Sequence, residues 1–240
     1  MTKTLTAENR ERLKTVSAAT LTTVLLKRGL RNQFMQDIHR VDHAGRNLVG
    51  EAYTLRYIPA REDLDKLDGF RDPEHPQRKA VEHCPPGHVL VIDSRKDARA
   101  ASAGGILIMR MMKRGVAGVV TDGGFRDAPE IAALDFPAYH QRPAAPTNLT
   151  VHHACDIDLP IGCGDAPVYP RDIIVGDLEG VVVIPAHLAN EVAEEGFEMT
   201  TFEDFVTEEV RNGAAITGLY PPTKAESLVK FEAWRKANGR

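Results

Sequence analysis

Cysteine is scarce in this chain: Cys84, Cys155 and Cys163 are the only three in 240 residues, and none stands in a CxxC pair. A disulfide framework uses even, closely spaced cysteines in a small secreted chain, so these read as reduced thiols serving as small core residues. Long apolar runs are missing as well. The longest, such as Val181-Val182-Val183-Ile184, are of strand length, far from the roughly 20 residues a membrane span needs. Fourteen aromatics (eight Phe, five Tyr, one Trp) are too few and too scattered for a base-stacking platform. Neither sign of charge prevails, with 30 Lys and Arg against 34 Asp and Glu and a net charge of −4. Nucleic-acid binding draws on clustered cations, so this balance speaks against it. The opening MTKTLTAENRERLK is polar where a signal peptide would be apolar, and a cytoplasmic protein is expected.

Familiar catalytic signatures are equally absent: there is no GxSxG, HExxH, Walker loop or EF-hand. Gly162-Cys163-Gly164-Asp165 opens like a dinucleotide fingerprint, but Pro167 stands where the third glycine belongs. His152 and His153 are adjacent on an expected strand and point to opposite faces, which places them poorly for one metal ion.

What is present is the composition of an ordinary globular protein, 42% apolar and 27% charged. Thr6-Ala7-Glu8 leading to Leu13 reads as a capped helix, and a second helix runs from about Thr20 to a stop at Gly29. Residues 48–58 and 88–93 read as strands, with a polar, acidic loop between Ala60 and Pro76. Gly104-Gly105 opens a helix that ends at Gly115, and residues 116–122 form a continuous apolar strand. Strand, glycine-led helix, strand is a βαβ unit, so part of the sheet is parallel. Short strands follow around 149–157, 173–176 and 180–184, then helices from Ala186, from about Thr201 and over Thr223 to Ala237. The expected architecture is a compact α/β sandwich with a partly parallel sheet, one domain over residues 1–240.

One constellation can carry chemistry. Asp122-Gly123-Gly124-Phe125-Arg126-Asp127 lies just beyond the buried parallel strand, where α/β sheets bind ligands. The glycines allow close backbone approach, Arg126 offers a fork of donors to a carboxylate, and Asp127 offers hard oxygen to Mg²⁺ or Mn²⁺. Free N–H groups near Ile106 and Leu107, behind Gly104-Gly105, make an anion site. Together they would suit a small 2-oxo acid. The alternative is a structural turn closed by a surface Arg–Asp pair.

The stretches SAATLTTVLLKRG, LVGEAYTL, GGILIMRMMKRGVAGVVTDGGFRD and IIVGDLEGVVVIP together resemble the RraA-like family. That family includes regulators of RNase E activity and class II pyruvate aldolases that cleave 4-hydroxy-4-methyl-2-oxoglutarate or 4-carboxy-4-hydroxy-2-oxoadipate. The resemblance covers most of residues 15–190. The Ala60–Pro76 insertion and the C-terminal helical extension from about Leu219 match less well.

The resemblance implies an α/β/β/α sandwich of the swivelling-domain type, assembled as homotrimers or homohexamers with sites between subunits. It also implies divalent-metal-dependent retro-aldol cleavage, often with oxaloacetate decarboxylation, or a related dehydration of a sugar-derived acid. Arg126 inherits the substrate-binding, enolate-stabilising role, Asp127 the metal ligand, and the N–H groups of Ile106 and Leu107 the pyruvate carboxylate. The family's first carboxylate falls on Gly105, which has no side chain. Asp122, or Asp63, Asp65 or Asp68 of the insertion, could substitute, and Glu203 corresponds to a helper carboxylate from a neighbouring subunit. Loss of that first carboxylate favours the alternative, a non-catalytic protein-binding regulator of a ribonuclease. A quinone methyltransferase, a name sometimes attached to the family, would need a glycine-rich cofactor loop that the sequence lacks. Substrate selectivity is expected near Arg56, the insertion and the C-terminal helices.

Overall fold

The computed structural model describes residues 4–42 and 45–240. The chain opens with α1 (Ala7–Leu13) and α2 (Ala18–Lys27), followed by β1 (His39–Arg40) and β2 (Leu48–Pro59). Next come α3 (Pro76–His83), β3 (His88–Asp93), β4 (Ala101–Ala103), α4 (Gly105–Lys113), β5 (Gly118–Thr121) and β6 (Gly124–Phe125). Then follow α5 (Ala128–Ala132), β7 (Ala138–His140), β8 (Arg142–Pro143), β9 (His152–Ile157), β10 (Ile161–Cys163) and β11 (Ala166–Val168). β12 (Ile173–Gly176), β13 (Val181–Ile184), α6 (Ala189–Arg211) and α7 (Ala225–Ala237) complete it.

The main sheet runs β1-β7-β5-β3-β2-β12-β13, with β9 also paired to β2. Pairings β2–β3, β3–β5 and β5–β7 are parallel. Those of β12 with β2 and with β13 are antiparallel. The parallel half follows from the βαβ unit read in the sequence. The fully apolar strands are explained by burial on both faces, because side chains alternate along a strand. In β3, Leu90 and Ile92 join a core under α3 and α4, whereas Val89 and Val91 face an inner core with Tyr139, Ile174 and Val183. In β13, Val182 and Ile184 pack under α1, α2 and α6, while Val181 and Val183 face the inner core. The β10–β11 hairpin adds Cys163, Ala166 and Val168 to that inner core. This is the mixed α/β sandwich expected. Cys84 and Cys163 are buried free thiols, whereas Cys155 is only half-buried.

Local signals place the helices. Thr6 accepts the Asn9 N–H at 3.1 Å and caps α1, and Ser17 does the same for α2 from Thr20. The Gly-Asp-Leu-Glu-Gly turn holds α2 to the sheet, because the Asp177 carboxylate accepts the Ala18 N–H at 2.7 Å. The helices expected separately from Ala186 and Thr201 are one, α6, of 23 residues, preceded by a short 3-10 turn at Ala186–Leu188. Thr201 starts nothing: its hydroxyl donates back to the Phe197 carbonyl at 2.9 Å inside the helix. The Ala60–Pro76 loop likewise contains a 3-10 turn, Leu67–Arg71.

The aromatics are less scattered than their sequence positions imply. Phe202, Phe205, Phe231 and Trp234 bind α7 to the second half of α6, with Phe202 and Phe231 edge-to-face at 5.1 Å. No helix among the described residues is long and apolar enough to cross a membrane.

Candidate active site

β4 and β6 run parallel in a small sheet, with Ala101 opposite Gly124 and Ala103 opposite Phe125. Both strands end at the same place, so Gly104 and Arg126 leave the sheet side by side, and the Arg126 N–H donates to the Ala103 carbonyl at 3.2 Å. β4 is held from beneath. The buried Tyr57 hydroxyl and the Gln77 amide each donate to the Ser102 carbonyl at 2.8 Å. The Ser102 hydroxyl lies 2.7 Å from both Ser94 Oγ and Thr121 Oγ1, a buried group that ties together the ends of β3, β4 and β5.

Glycine here lets protein groups come into close contact. A Cβ on Gly104 would stand 2.8 Å from Arg126 Cγ, and one on Gly105 would stand 3.3 Å from Asp127 Cβ. Gly123 and Gly124, expected to approach a ligand, are pressed against protein instead: their Cβ atoms would meet Ser102 Oγ and Ala144 Cβ, each at 2.5 Å.

Asp127 has φ 59° and ψ 36°, a left-handed conformation that aspartate tolerates better than most side chains. Its Oδ2 lies 3.0 Å from the Gly105 nitrogen and accepts the first orphan N–H of α4. Oδ1 lies 3.7 Å from Arg126 Nε, and both side chains are close to half exposed. The Leu107 N–H, expected to be free, turns back to the Gly104 carbonyl at 3.0 Å. The Ile106 N–H meets no acceptor among the described residues.

Gly104, Ile106, Leu107, Arg126 and Asp127 line one cavity of about 270 Å³, while Gly105 borders an adjacent apolar hollow with Met109 and Leu134. Further walls carry no sequence signal: Phe70 from the insertion, Gln77 and Arg78 from α3, and Thr147 and Asn148. The Arg78 guanidinium sits over the Phe70 ring, 4.6 Å from its centroid. Arg78 belongs to no motif, and only the packing of α3 reveals it.

The groups considered as substitutes for the carboxylate absent at Gly105 do not line this cavity. Asp122 is buried, and its two oxygens accept the N–H groups of Ser94 at 2.6 Å and Gly164 at 3.3 Å. Burial pushes its carboxyl up to about 6. Asp63 pairs with Arg61 at 2.7 Å, Asp68 with Arg71 at 3.6 Å, and Asp65 with His153 at 2.8 Å. Glu203 accepts the hydroxyls of Thr20 at 2.9 Å and Tyr220 at 3.0 Å and borders a separate cavity beside α7. Arg56, expected near the substrate, is bound to Asp156 through its Nε at 2.8 Å and lies outside the cavity. His152 is buried and stacked on Tyr57 at 5.3 Å while His153 reaches Asp65, so the two histidines do diverge.

No group of three His, Cys, Asp or Glu side chains able to hold a metal ion occurs among the described residues. Among them, Asp127 is the one carboxylate lining the cavity. Its donor chemistry fits a hydrated Mg²⁺ or Mn²⁺, which keeps most of its waters and needs one or two carboxylates. It does not fit a fully protein-caged ion.

The chain is thus a layered α/β protein with a cavity at the ends of parallel strands that Arg78, Arg126 and Asp127 line. It belongs to the RraA-like family (Aldolase/RraA), whose sequence profile matches residues 16–183. A Halalkalibacterium halodurans protein provisionally named a 4-hydroxy-4-methyl-2-oxoglutarate aldolase is 38% identical over 107 residues, 45% of this chain and 50% of that protein. The chain thus spans about half the length of this curated relative. The crystal structure of Streptomyces coelicolor RraAS2, described as an unusual member of the RNase ES inhibitor RraA protein family, matches with a TM-score of 0.74. It is 27% identical, and the match covers 85% of this chain and 97% of that one. An uncharacterised Pseudomonas syringae protein shares the fold at a TM-score of 0.75 and 20% identity, over 90% of this chain and 98% of its own.

Proposed function

We propose that this chain is a lyase that cleaves a carbon–carbon bond in a small 2-oxo acid, releasing pyruvate by retro-aldol cleavage or by decarboxylation of oxaloacetate. The observation that carries the reading is the convergence of Arg126, Asp127 and the unsatisfied Ile106 N–H on one cavity. Relatives named as 4-hydroxy-4-methyl-2-oxoglutarate aldolases support the same reaction class.

In oxaloacetate, the C3–C4 bond breaks, CO₂ leaves, and the bonding pair passes into the pyruvate enolate, which takes a proton at C3. Negative charge grows on the C2 oxygen, and the catalytic task is to have donors aimed there before it forms. The Ile106 N–H, at the positive end of α4, would hold the C1 carboxylate. Arg126 would direct its fork at the enolate oxygen. Its backbone N–H is fixed to the Ala103 carbonyl, which sets where the side chain leaves the strand beside Gly104. Asp127 would hold Mg²⁺ or Mn²⁺ through the oxygen not committed to Gly105, and a bound ion supplies Lewis acidity at the 2-oxo group. Arg126→Ala should sharply reduce divalent-metal-stimulated release of pyruvate from oxaloacetate.

A second reading, a protein-binding regulator of a ribonuclease, is favoured by the missing side chain at Gly105 and by the likeness to RraAS2. Capture of an endoribonuclease by the purified protein, with no heat of Mn²⁺ binding, would replace the lyase reading with this one. Assembly as a trimer or hexamer belongs to both readings, and sedimentation velocity measures it.

A further inference from the structure

We propose that Asn148 is a catalytic residue that decides between two reactions open to the cavity: its amide donates to the C4 oxygen of a 4-hydroxy-2-oxo acid and favours aldol cleavage over decarboxylation. This rests on the lyase reading and extends it along β4.

Asn148 opens a 3-10 turn, Asn148–Thr150, and lines the cavity beside Thr147. The Asn148 carbonyl accepts the Val151 N–H at 3.0 Å, and the Pro146 carbonyl accepts the Ala101 N–H at 2.9 Å. The second bond sets the turn beside the first residue of β4, whereas Gly104 and Arg126 stand at the strand's other end. β4 has three residues, roughly 10 Å of extended chain. A four-carbon acid with a hydrogen bond at each end is close to that length.

The Asn148 side chain is only 3% exposed. Its Oδ1 accepts the Thr147 hydroxyl at 3.4 Å, and its Nδ2 has no hydrogen-bond partner among the described residues. Gln77, equally buried on the same cavity, spends its amide on the Ser102 carbonyl at 2.8 Å. A buried donor left unpaired is costly, and a ligand oxygen satisfies it.

The two reactions make opposite demands on a donor at this place. In aldol cleavage the C4 hydroxyl gives its proton to water and the C3–C4 bond breaks. The bonding pair passes into the pyruvate enolate, which takes a proton at C3, and the C4 oxygen ends as a carbonyl. That oxygen carries most negative charge on the way, so a fixed N–H holds the transition state more firmly than the ground state. Decarboxylation moves charge the other way, because the C4 carboxylate of oxaloacetate leaves as neutral CO₂. A donor there holds the ground state more firmly and brings no acceleration.

The test measures pyruvate release from 4-hydroxy-4-methyl-2-oxoglutarate and from oxaloacetate with the same preparations. In Asn148→Ala, kcat for the aldol substrate should fall roughly 10²-fold, the weight of one donor on a developing oxyanion. The kcat for oxaloacetate should stay within about twofold or rise, since the donor opposes that reaction. Asn148→Asp keeps the shape and removes the donor, and it should lose aldol cleavage at least as far. An equal fall in both reactions marks a structural role and overturns the proposal. So does aldol cleavage that Asn148→Ala leaves unchanged, or a wild-type chain that only decarboxylates; in both cases the lyase reading stands. Absence of pyruvate from both substrates with the wild-type chain overturns both.

Discussion

The Asp127 carboxylate lies 3.0 Å from the Gly105 nitrogen and caps the helix that begins there, across 22 residues of sequence. Family resemblance assigns both positions to carboxylates; here one carboxylate fills the space beside a bare glycine. Asp127 therefore has a structural task, capping α4, and a proposed chemical one, and substitutions separate them.

Asp127→Asn keeps an oxygen acceptor for Gly105 and a residue type that accepts the left-handed backbone. Its melting temperature should stay close to that of wild type while lyase activity disappears. Asp127→Ala loses the cap as well, about 1 kcal/mol, and should melt roughly 2–4 °C lower. Differential scanning calorimetry of both variants makes the comparison.

Gly105→Asp places a second carboxylate beside the first, with its Cβ at 3.3 Å from Asp127 Cβ. The contact requires the neighbour to give slightly, so a small loss of stability is expected. The added carboxylate would orient metal-bound water, and Mn²⁺ affinity should tighten by roughly 10- to 100-fold, the usual weight of such outer partners. Mn²⁺ titration followed by calorimetry or electron spin resonance reads the change.

Two buried groups give opposite pH dependences. Burial raises the Asp122 carboxyl to about 6. The folded state then binds its proton more readily than the unfolded chain, so this contribution is present at low pH and lost as pH rises through about 6. Burial lowers His140 to about 4, with a smaller push from His39. Its contribution is present above the ordinary histidine value of 6.5 and is lost as pH falls towards 4. In wild type the two oppose each other between these two values, about 4 and about 6. Relative to wild type, His140→Gln should make urea stability rise on acidification across that window, and Asp122→Asn should make it fall more steeply.

Trp234 is the chain's one tryptophan and belongs to the aromatic cluster between α6 and α7. Its Nε1–H donates to Glu208 at 2.7 Å. Because α6 is one continuous helix that packs under the main sheet at its start and into this cluster at its end, the fluorescence and circular dichroism transitions should coincide. Phe231→Ala should reduce the unfolding free energy read by both probes by about 3–5 kcal/mol.

Most of the fold is legible in the sequence because period and punctuation agree with the packing. The strands at 88–93 and 181–184 are apolar through their centres because they are buried on both faces, and Gly104-Gly105 opens α4 where Arg126 and Asp127 press against it. The Arg126–Asp127 half of the cavity is readable for the same reason, since strand, turn and helix lie in one continuous stretch. The Arg78 half is not. Phe70, Arg78 and Asn148 come from three separate segments and meet only through packing. Asp122 carries a signal that misleads: an acidic residue at a strand end can serve a ligand or the backbone, and here Ser94 and Gly164 claim it.

Pyruvate release from oxaloacetate under Mg²⁺ or Mn²⁺, measured for the wild-type chain beside Arg126→Ala and Asp127→Asn, decides whether this cavity is a lyase site. Saturable, metal-stimulated turnover is expected in wild type, with a fall of roughly 10²- to 10³-fold on loss of the Arg126 donor and loss of metal stimulation in Asp127→Asn. Turnover no faster than the uncatalysed reaction, or turnover indifferent to both substitutions, would refute the lyase reading.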